Sequence, residues 1–326
     1  MKRYFILTLS ILMLVFSFGY FSSTVALHSA YELSEGEWFF SKKSGNVYRS
    51  ESFSVTGDVK LEVTTSGGNI TITEGTSDKV EVTLFARRGG SYLSPGDFNE
   101  EDFEIIILQR GNTIIASVNK NRGGWNWRGG DPSFSFEVKT PSNTNSELRT
   151  SGGNISISGL TGKQEARTSG GNITLEKMEG YSEVRTSGGN INVNNFSGNL
   201  NARTSGGNIR LSEINGSADV RTSGGNIRGE NISGNLEAVT SGGSINVSAT
   251  NIDKNLILRT SGGNVTASVP GNIGYALNLR GSRVNTNNLA NFSGSSSRNR
   301  VEGRIGDSSR QLDLRTSGGT VNVTFQ

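Results

Sequence analysis

Leu148-Arg-Thr-Ser-Gly-Gly-Asn-Ile-Ser-Ile-Ser-Gly-Leu-Thr-Gly-Lys-Gln-Glu165 is one unit of a repeat, and the next unit begins at Ala166. Its Thr-Ser-Gly-Gly core occurs six times at a strict spacing of 18 residues, beginning at Thr150, Thr168, Thr186, Thr204, Thr222 and Thr240. Eighteen residues cannot bury a core alone, so the units must stack into a solenoid. Each unit carries two stretches with the period of two that a half-buried strand requires. The first is marked by Ile155/Ile157, Ile173/Leu175, Ile191/Val193, Ile209/Leu211 and Ile245/Val247. The second runs through Ala166, Val184, Ala202, Val220, Ala238 and Leu258, and its alternation puts the Thr column inward as well. Between the two stretches lies a further apolar position, Leu160, Met178, Phe196, Ile214, Ile232 and Ile252. The pattern predicts an all-β fold, a single-stranded β-solenoid or β-helix with 18-residue coils, each holding two strands and a hydrophobic corner. Glycine columns at Gly152-Gly153 and at Gly162, with their equivalents, fall at fixed phase and mark repeated corners rather than flexible linker.

Beyond Thr240 the period loosens to 20 at Thr260, and a degraded copy, Arg280-Gly-Ser-Arg-Val284, follows. The Asn-, Ser- and Arg-rich insertion at 285–307 reads as a loop bulging from one coil or a disordered segment. The repeat returns at Leu314-Arg-Thr-Ser-Gly-Gly319, and this last coil is expected to end the stack. Upstream, Thr65-Ser-Gly-Gly-Asn-Ile70 is an isolated copy followed by strand-like runs at 79–85, 103–108, 113–118 and 134–138. Residues 31–147 thus read as a widened, aromatic-rich N-terminal β region that caps the solenoid of 148–326. Solenoid ends need such caps to avoid edge-to-edge pairing.

The N-terminus has Lys2 and Arg3, an apolar run from Tyr4 to about Phe21, and small residues around Ala26. This reads as a signal peptide over 1–26, with cleavage as late as residue 30. The alternative is an uncleaved anchor, since the run approaches the roughly 20 residues that span a bilayer. Either way the protein is expected to be exported, to the periplasm, the outer surface or the medium. No membrane span is expected after cleavage. The chain has no Cys, so it has no disulfides, thiolate metal sites or Cys nucleophiles, and its single His is His28, beside the signal segment. We expect no cofactor, no metal, no catalytic residues and no nucleic-acid partner. Residues 31–147 carry 12 basic and 17 acidic side chains, whereas 148–326 carry 18 and 12. A basic solenoid behind an acidic head suggests contact with a polyanion, and scattered solvated charge is the alternative.

An Arg column flanks the Thr column on the outward side, and Arg167, Arg185, Arg203 and Arg221 are its candidate polyanion rail. Carboxylates at Glu147, Glu165, Glu183, Asp219 and Glu237 sit two residues earlier on the same face, so a ladder of paired charges is the competing reading. Asn201 replaces a carboxylate beside Arg203, which predicts an unpaired guanidinium there. Asn154, Asn172, Asn190, Asn208 and Asn226 form a candidate structural ladder, because amides stacked about 4.8 Å apart can hydrogen-bond along the stack. The inward phase of Thr argues against an ice-binding face. Calcium β-rolls place Asp where this chain has Asn. No Gly-Lys-Ser/Thr occurs to hold phosphates. Trp125 and Trp127, flanked by Arg and Gly, are a candidate platform for a sugar ring or else an apolar cap. Trp38-Phe39-Phe40 reads as core or cap. Acids between Asp97 and Glu104 could pair for glycoside cleavage, but nothing in their spacing sets a partner.

The unit Leu-Arg-Thr-Ser-Gly-Gly-Asn-Ile-x-Ile, the lead-in Phe136-Glu-Val-Lys-Thr-Pro141 and the signal segment resemble the bacterial adhesin-like, β-strand-repeat family of unknown function. The resemblance covers roughly 45–326. It implies a β-solenoid in exported or envelope proteins, commonly with Asp where Asn154 and its equivalents stand, and it brings no catalytic residues. The expected function is a non-catalytic binding or structural scaffold at the cell envelope that contacts a surface polysaccharide or an envelope protein. A carbohydrate-active enzyme and an envelope-stress or signalling component that docks a partner are the alternatives.

Overall fold

A computed structural model describes residues 47–326 except 122–129, 288, 290 and 308. The signal segment, Trp38-Phe39-Phe40, Trp125 and Trp127 lie outside the described residues. The N-terminal strands are β1 (Arg49–Ser54), β2 (Val59–Thr64), β3 (Ile70–Glu74), β4 (Lys79–Arg88), β5 (Ser91–Tyr92), β6 (Phe103–Arg110), β7 (Thr113–Lys120) and β8 (Ser133–Thr140). Next come β9 (Thr144–Arg149), β10 (Ile155–Ser158) and β11 (Thr161–Arg167). The regular coils are the bent strands β12 (Ile173–Arg185), β13 (Ile191–Arg203), β14 (Ile209–Arg221), β15 (Ile227–Val239) and β16 (Ile245–Thr260). The last strands are β17 (Val265–Val269), β18 (Tyr275–Arg280), β19 (Arg283–Thr286), β20 (Phe292–Ser297), β21 (Arg300–Ile305), β22 (Arg310–Thr316) and β23 (Thr320–Phe325).

In β13 the residues Ile191, Val193, Phe196, Leu200 and Ala202 are buried. The phase slips between Val193 and Phe196, where Asn195 takes a positive φ of 54°. Gly198, at φ 128°, completes the corner. The same left-handed kink falls at Lys177, Glu213 and Asn231. Sequence periodicity places the hydrophobic corner but misses this kink, because Lys and Glu carry no left-handed signal. Parallel pairing joins each residue to its equivalent 18 positions on, as in Ile191↔Ile209 and Arg203↔Arg221. The two extra residues before Thr260 are taken up as register shifts between β15 and β16.

Five residues, Thr-Ser-Gly-Gly-Asn, close the regular coils, with Ser244 and Thr320 in place of Asn in two units, and their chemistry repeats. Thr204 Oγ1 donates to the Gly189 carbonyl of the preceding coil at 2.8 Å and accepts from Gly207 N–H at 3.3 Å. A buried hydroxyl thus ties its own turn to its neighbour, which satisfies groups that would be expensive to bury unpaired. The second glycine is demanded by contact: a Cβ on Gly207 would lie 1.9 Å from the Gly189 oxygen.

The order of coils in the stack differs from the order in the chain at both ends. β2 lies between β7 and β9, and β3 between β8 and β10, so the first coil is interior. β22 lies between β16 and β18, and β23 between β17 and β19. The last coil is therefore not the end of the stack, contrary to the expectation from the chain order. Interleaving gives each of these coils a ladder on both sides instead of one. The insertion is not a loop either. β20 and β21 form an antiparallel hairpin, and β21 runs antiparallel to β18, so the hairpin covers that edge. Its outer strand is short and Ser-rich, which blunts the edge against further pairing. At the opposite end the antiparallel pairs β6/β7 and β4/β8 widen the stack. There Phe134 packs against Phe98 and Phe103, with centroids 5.6 and 5.0 Å away, and Tyr48 stacks on Phe98 at 5.5 Å.

Candidate functional site

The Arg column lies on the outer surface of the strand that leads into each turn. Arg167 lies 3.9 Å from Glu165 in its own coil and 3.4 Å from Glu183 in the next. Arg185 meets Glu183 at 2.9 Å, and Arg221 meets Asp219 and Glu237 at 2.9 Å each. The hydrogen bond with Asp219 is the main influence that holds the Arg221 guanidinium even more firmly protonated. Arg203 is not unpaired. Its Nε donates to Asn201 Oδ1 at 3.0 Å, and its Nη2 lies 3.5 Å from Asp219 Oδ2 in the next coil. Pairing across coils defeats the within-coil reading, because Arg167, Arg203 and Arg221 each reach both their own strand and the next. Along this half of the column five arginines, Arg149 to Arg221, face five carboxylates, Glu147 to Glu237. Exposed pairs of this kind add little stability each, and the rail is close to neutral.

The Asn column contacts backbone. Asn154 Oδ1 accepts from Asn172 N–H at 2.8 Å, Asn172 Oδ1 from Asn190 N–H at 2.7 Å, and Asn190 Oδ1 from Asn208 N–H at 2.8 Å. Asn208 Oδ1 accepts from Asn226 N–H at 2.8 Å, and Ser244 N–H continues the series on Asn226 Oδ1 at 2.7 Å. The amide oxygen therefore takes the N–H that each turn leaves without a ladder partner.

Two shallow grooves lie on the sheet faces. One, of about 340 Å³, is lined by Tyr181, Asn199, Asn201, Asp219, Asn235 and Glu237 among others. The other, of about 540 Å³, includes Asn192, Asn194, Arg210, Arg228 and Glu230. Tyr181 is 37% exposed, and its hydroxyl lies 3.3 Å from Glu183. The acids near Asp97 lie on an exposed 3₁₀ turn, Glu100–Asp102, where Glu100 accepts from the Tyr48 hydroxyl at 2.6 Å. Burial and that carboxylate both push the Tyr48 pKa up, burial more strongly. Among the described residues no group of three or more His, Asp or Glu side chains is placed to hold a metal ion.

Sequence spacing does not show where the column leads next. Arg259, Arg315, Arg280 and Arg300 occupy successive strands in register, although Arg259 and Arg315 are far apart in the chain. Beneath the first two, Asp313 is fully buried, held by Arg259 and by Arg315 Nε at 2.5 Å.

An exposed face of regularly stepped charges and amides on a closed hydrophobic coil defines a β-solenoid scaffold. The chain belongs to the Toastrack DUF4097 family, whose model matches residues 58–324. Among solved structures it is similar to a putative adhesin from Bacteroides fragilis NCTC 9343, at 14% identity over 87% of this chain and 98% of that one, with a TM-score of 0.46. A putative adhesin from Parabacteroides distasonis ATCC 8503 matches at 13% identity over 84% of this chain and 96% of its own, TM-score 0.41. A putative lipid binding protein from the same organism matches at 14% identity over 86% and 97%, TM-score 0.32. No curated protein matches the chain.

Proposed function

We propose that this protein is an exported, non-catalytic scaffold of the cell envelope whose outer faces hold an extended polymeric partner. The observation that carries this reading is the in-register stepping of outward side chains from coil to coil, which repeats one small set of contacts along the stack. A repeating surface suits a repeating ligand, whereas a catalytic centre is built from one non-repeating constellation. The groove carboxylates support the same view. Asp219 and Glu237 are both engaged by Arg221, so neither stands free in the groove as an unpaired carboxylate. Export is supported by Lys2, Arg3, the apolar run and the small residues at Ala26. Cell fractionation with surface-protease digestion and N-terminal sequencing tests the reading. The expected result is an envelope or secreted chain that starts near Leu27, and a full-length cytoplasmic chain would overturn it.

A further inference from the structure

The geometry points to a binding surface for a linear anionic polysaccharide at the end of the stack formed by β18, β19 and the β20/β21 hairpin. This inference deepens the scaffold reading and rests on it for the class of polymer. Between residues 280 and 310 the chain carries six arginines against Glu302 and Asp307. The fold concentrates them. Arg280 is paired in register with Arg315 on one side and Arg300 on the other, and Arg315 with Arg259. At about 4.8 Å per strand, four arginines follow one another within roughly 15 Å. Val284 N–H donates to the Arg298 carbonyl at 2.8 Å and Gly281 N–H to that of Asn299 at 3.1 Å, which brings Arg283 and Arg298 to the same corner.

Compensation is thin here, unlike at Arg149 to Arg221. Asp313 is buried under Arg259 and Arg315 and has no exposed surface to offer. Glu302 pairs with Arg300 and, at 3.9 Å, with Arg280. Arg283, Arg298 and Arg304 are exposed and make no side-chain hydrogen bond or ion pair among the described residues. Like charges on neighbouring strands repel, and an arriving anion relieves the repulsion. Ser293 and Ser295 stand opposite Arg304 and Glu302 and add hydroxyl donors. Arginine forks take sulfate, carboxylate or phosphate oxygens two at a time. Large apolar side chains that are exposed among the described residues are Val47 and Tyr181, so this surface lacks the stacking platforms that single-stranded nucleic acids use.

The test uses the full chain and heparin as the probe, with affinity measured across a rising salt series. Arg280→Gln/Arg283→Gln/Arg298→Gln/Arg300→Gln is expected to lose tenfold or more, about 1.4 kcal/mol or above. Four lost ion contacts lower the slope of log K against log salt by about 3. The matched variant Arg149→Gln/Arg167→Gln/Arg185→Gln/Arg203→Gln is expected to stay within about twofold. Glu302→Gln, which removes the surface acid, is expected to bind more tightly, and this keeps the test valid if a quadruple variant melts early. Absence of binding, equal losses in the two quadruple variants, weaker binding by Glu302→Gln, or equal affinity for polyuridylate would each overturn the proposal. Heparin binding through these arginines by a chain that fractionates with the cytoplasm would sink the export reading and leave the anionic surface standing. An exported chain that ignores heparin would do the reverse.

Discussion

Replacing Gly207 with alanine would set one methyl group against the carbonyl of the preceding coil. Its Cβ would stand 1.9 Å from the Gly189 oxygen and 2.4 Å from the carbonyl carbon, whereas real Cβ contacts stay beyond 3.0 Å. The two coils must therefore part locally by about 1 Å or more. That movement stretches the bond from Thr204 Oγ1 to the Gly189 oxygen and the bond from Asn208 N–H to Asn190 Oδ1, both 2.8 Å. Two hydrogen bonds at about 1 kcal/mol each, with about 1–3 kcal/mol for overpacking, give a loss of about 3–5 kcal/mol. For a chain of this length that is a fall of about 6–10 °C in the thermal midpoint. Gly206, one residue earlier, is the control. A Cβ there meets Gly188 and Ser187 oxygens at an ordinary 3.7 Å, and neither glycine has a positive φ that would confound the comparison. Gly206→Ala should melt within about 3 °C of the parent or slightly above it, because alanine restricts the unfolded chain. Circular dichroism melts of the two variants at equal scan rate decide the matter. If Gly207→Ala melts level with Gly206→Ala, close coil contact is not what holds that glycine.

Thr204→Val keeps the shape but strands the Gly189 carbonyl and the Gly207 N–H, and should lower the urea midpoint by about 1–3 kcal/mol equivalent, with Thr204→Ser retaining most of it. Glu213 sits at φ 56°, so Glu213→Gly should raise the melting point and Glu213→Val lower it, each by about 1 kcal/mol equivalent. Arg259→Ala leaves the buried Asp313 with Arg315 alone and should cost about 3 kcal/mol in urea unfolding, whereas Arg185→Ala should cost under about 1. Tyr275 is fully buried, its hydroxyl donates to the Pro270 carbonyl at 2.8 Å, and burial pushes its pKa up to about 12. Because the folded value lies above the unfolded one, its contribution to stability is intact below about pH 10 and is lost as pH rises to about 12. Tyr275→Phe should flatten that alkaline fall in a pH series of melts.

Much of one coil can be read from one unit. Ile191, Val193, Phe196 and Ala202 announce themselves by alternation, and the Thr column's inward phase follows from theirs. Leu200 and its equivalents escape the reading, because Gln164, Ser182 and Ala218 fill the same column and mask its apolar character. Gln164 is nevertheless fully buried, and its amide donates to the Thr144 carbonyl at 2.7 Å. The kink at Lys177 and Glu213 is likewise silent, since packing of the corner imposes it on residues with no preference for it. At the candidate site, the carboxylate two residues before each arginine is visible in the unit, but the partner on the next coil is not, and Arg203 shows the difference.

The 18-residue period by itself determined the coil: two alternating stretches, which the structure joins into one bent strand, a hydrophobic corner, a Thr-Ser-Gly-Gly-Asn turn and an outward arginine. It could do so because those features depend on neighbours that recur at the same offset in every unit. Only the tertiary structure decided the order of coils, which places the first and last repeats inside the stack and turns the Ser- and Arg-rich insertion into an edge-covering hairpin. Period carries no information about which exposed edge a strand will join. That choice is settled by competition among edges for hydrogen bonds, and it brings Arg315 between Arg259 and Arg280 to make the basic end of the protein.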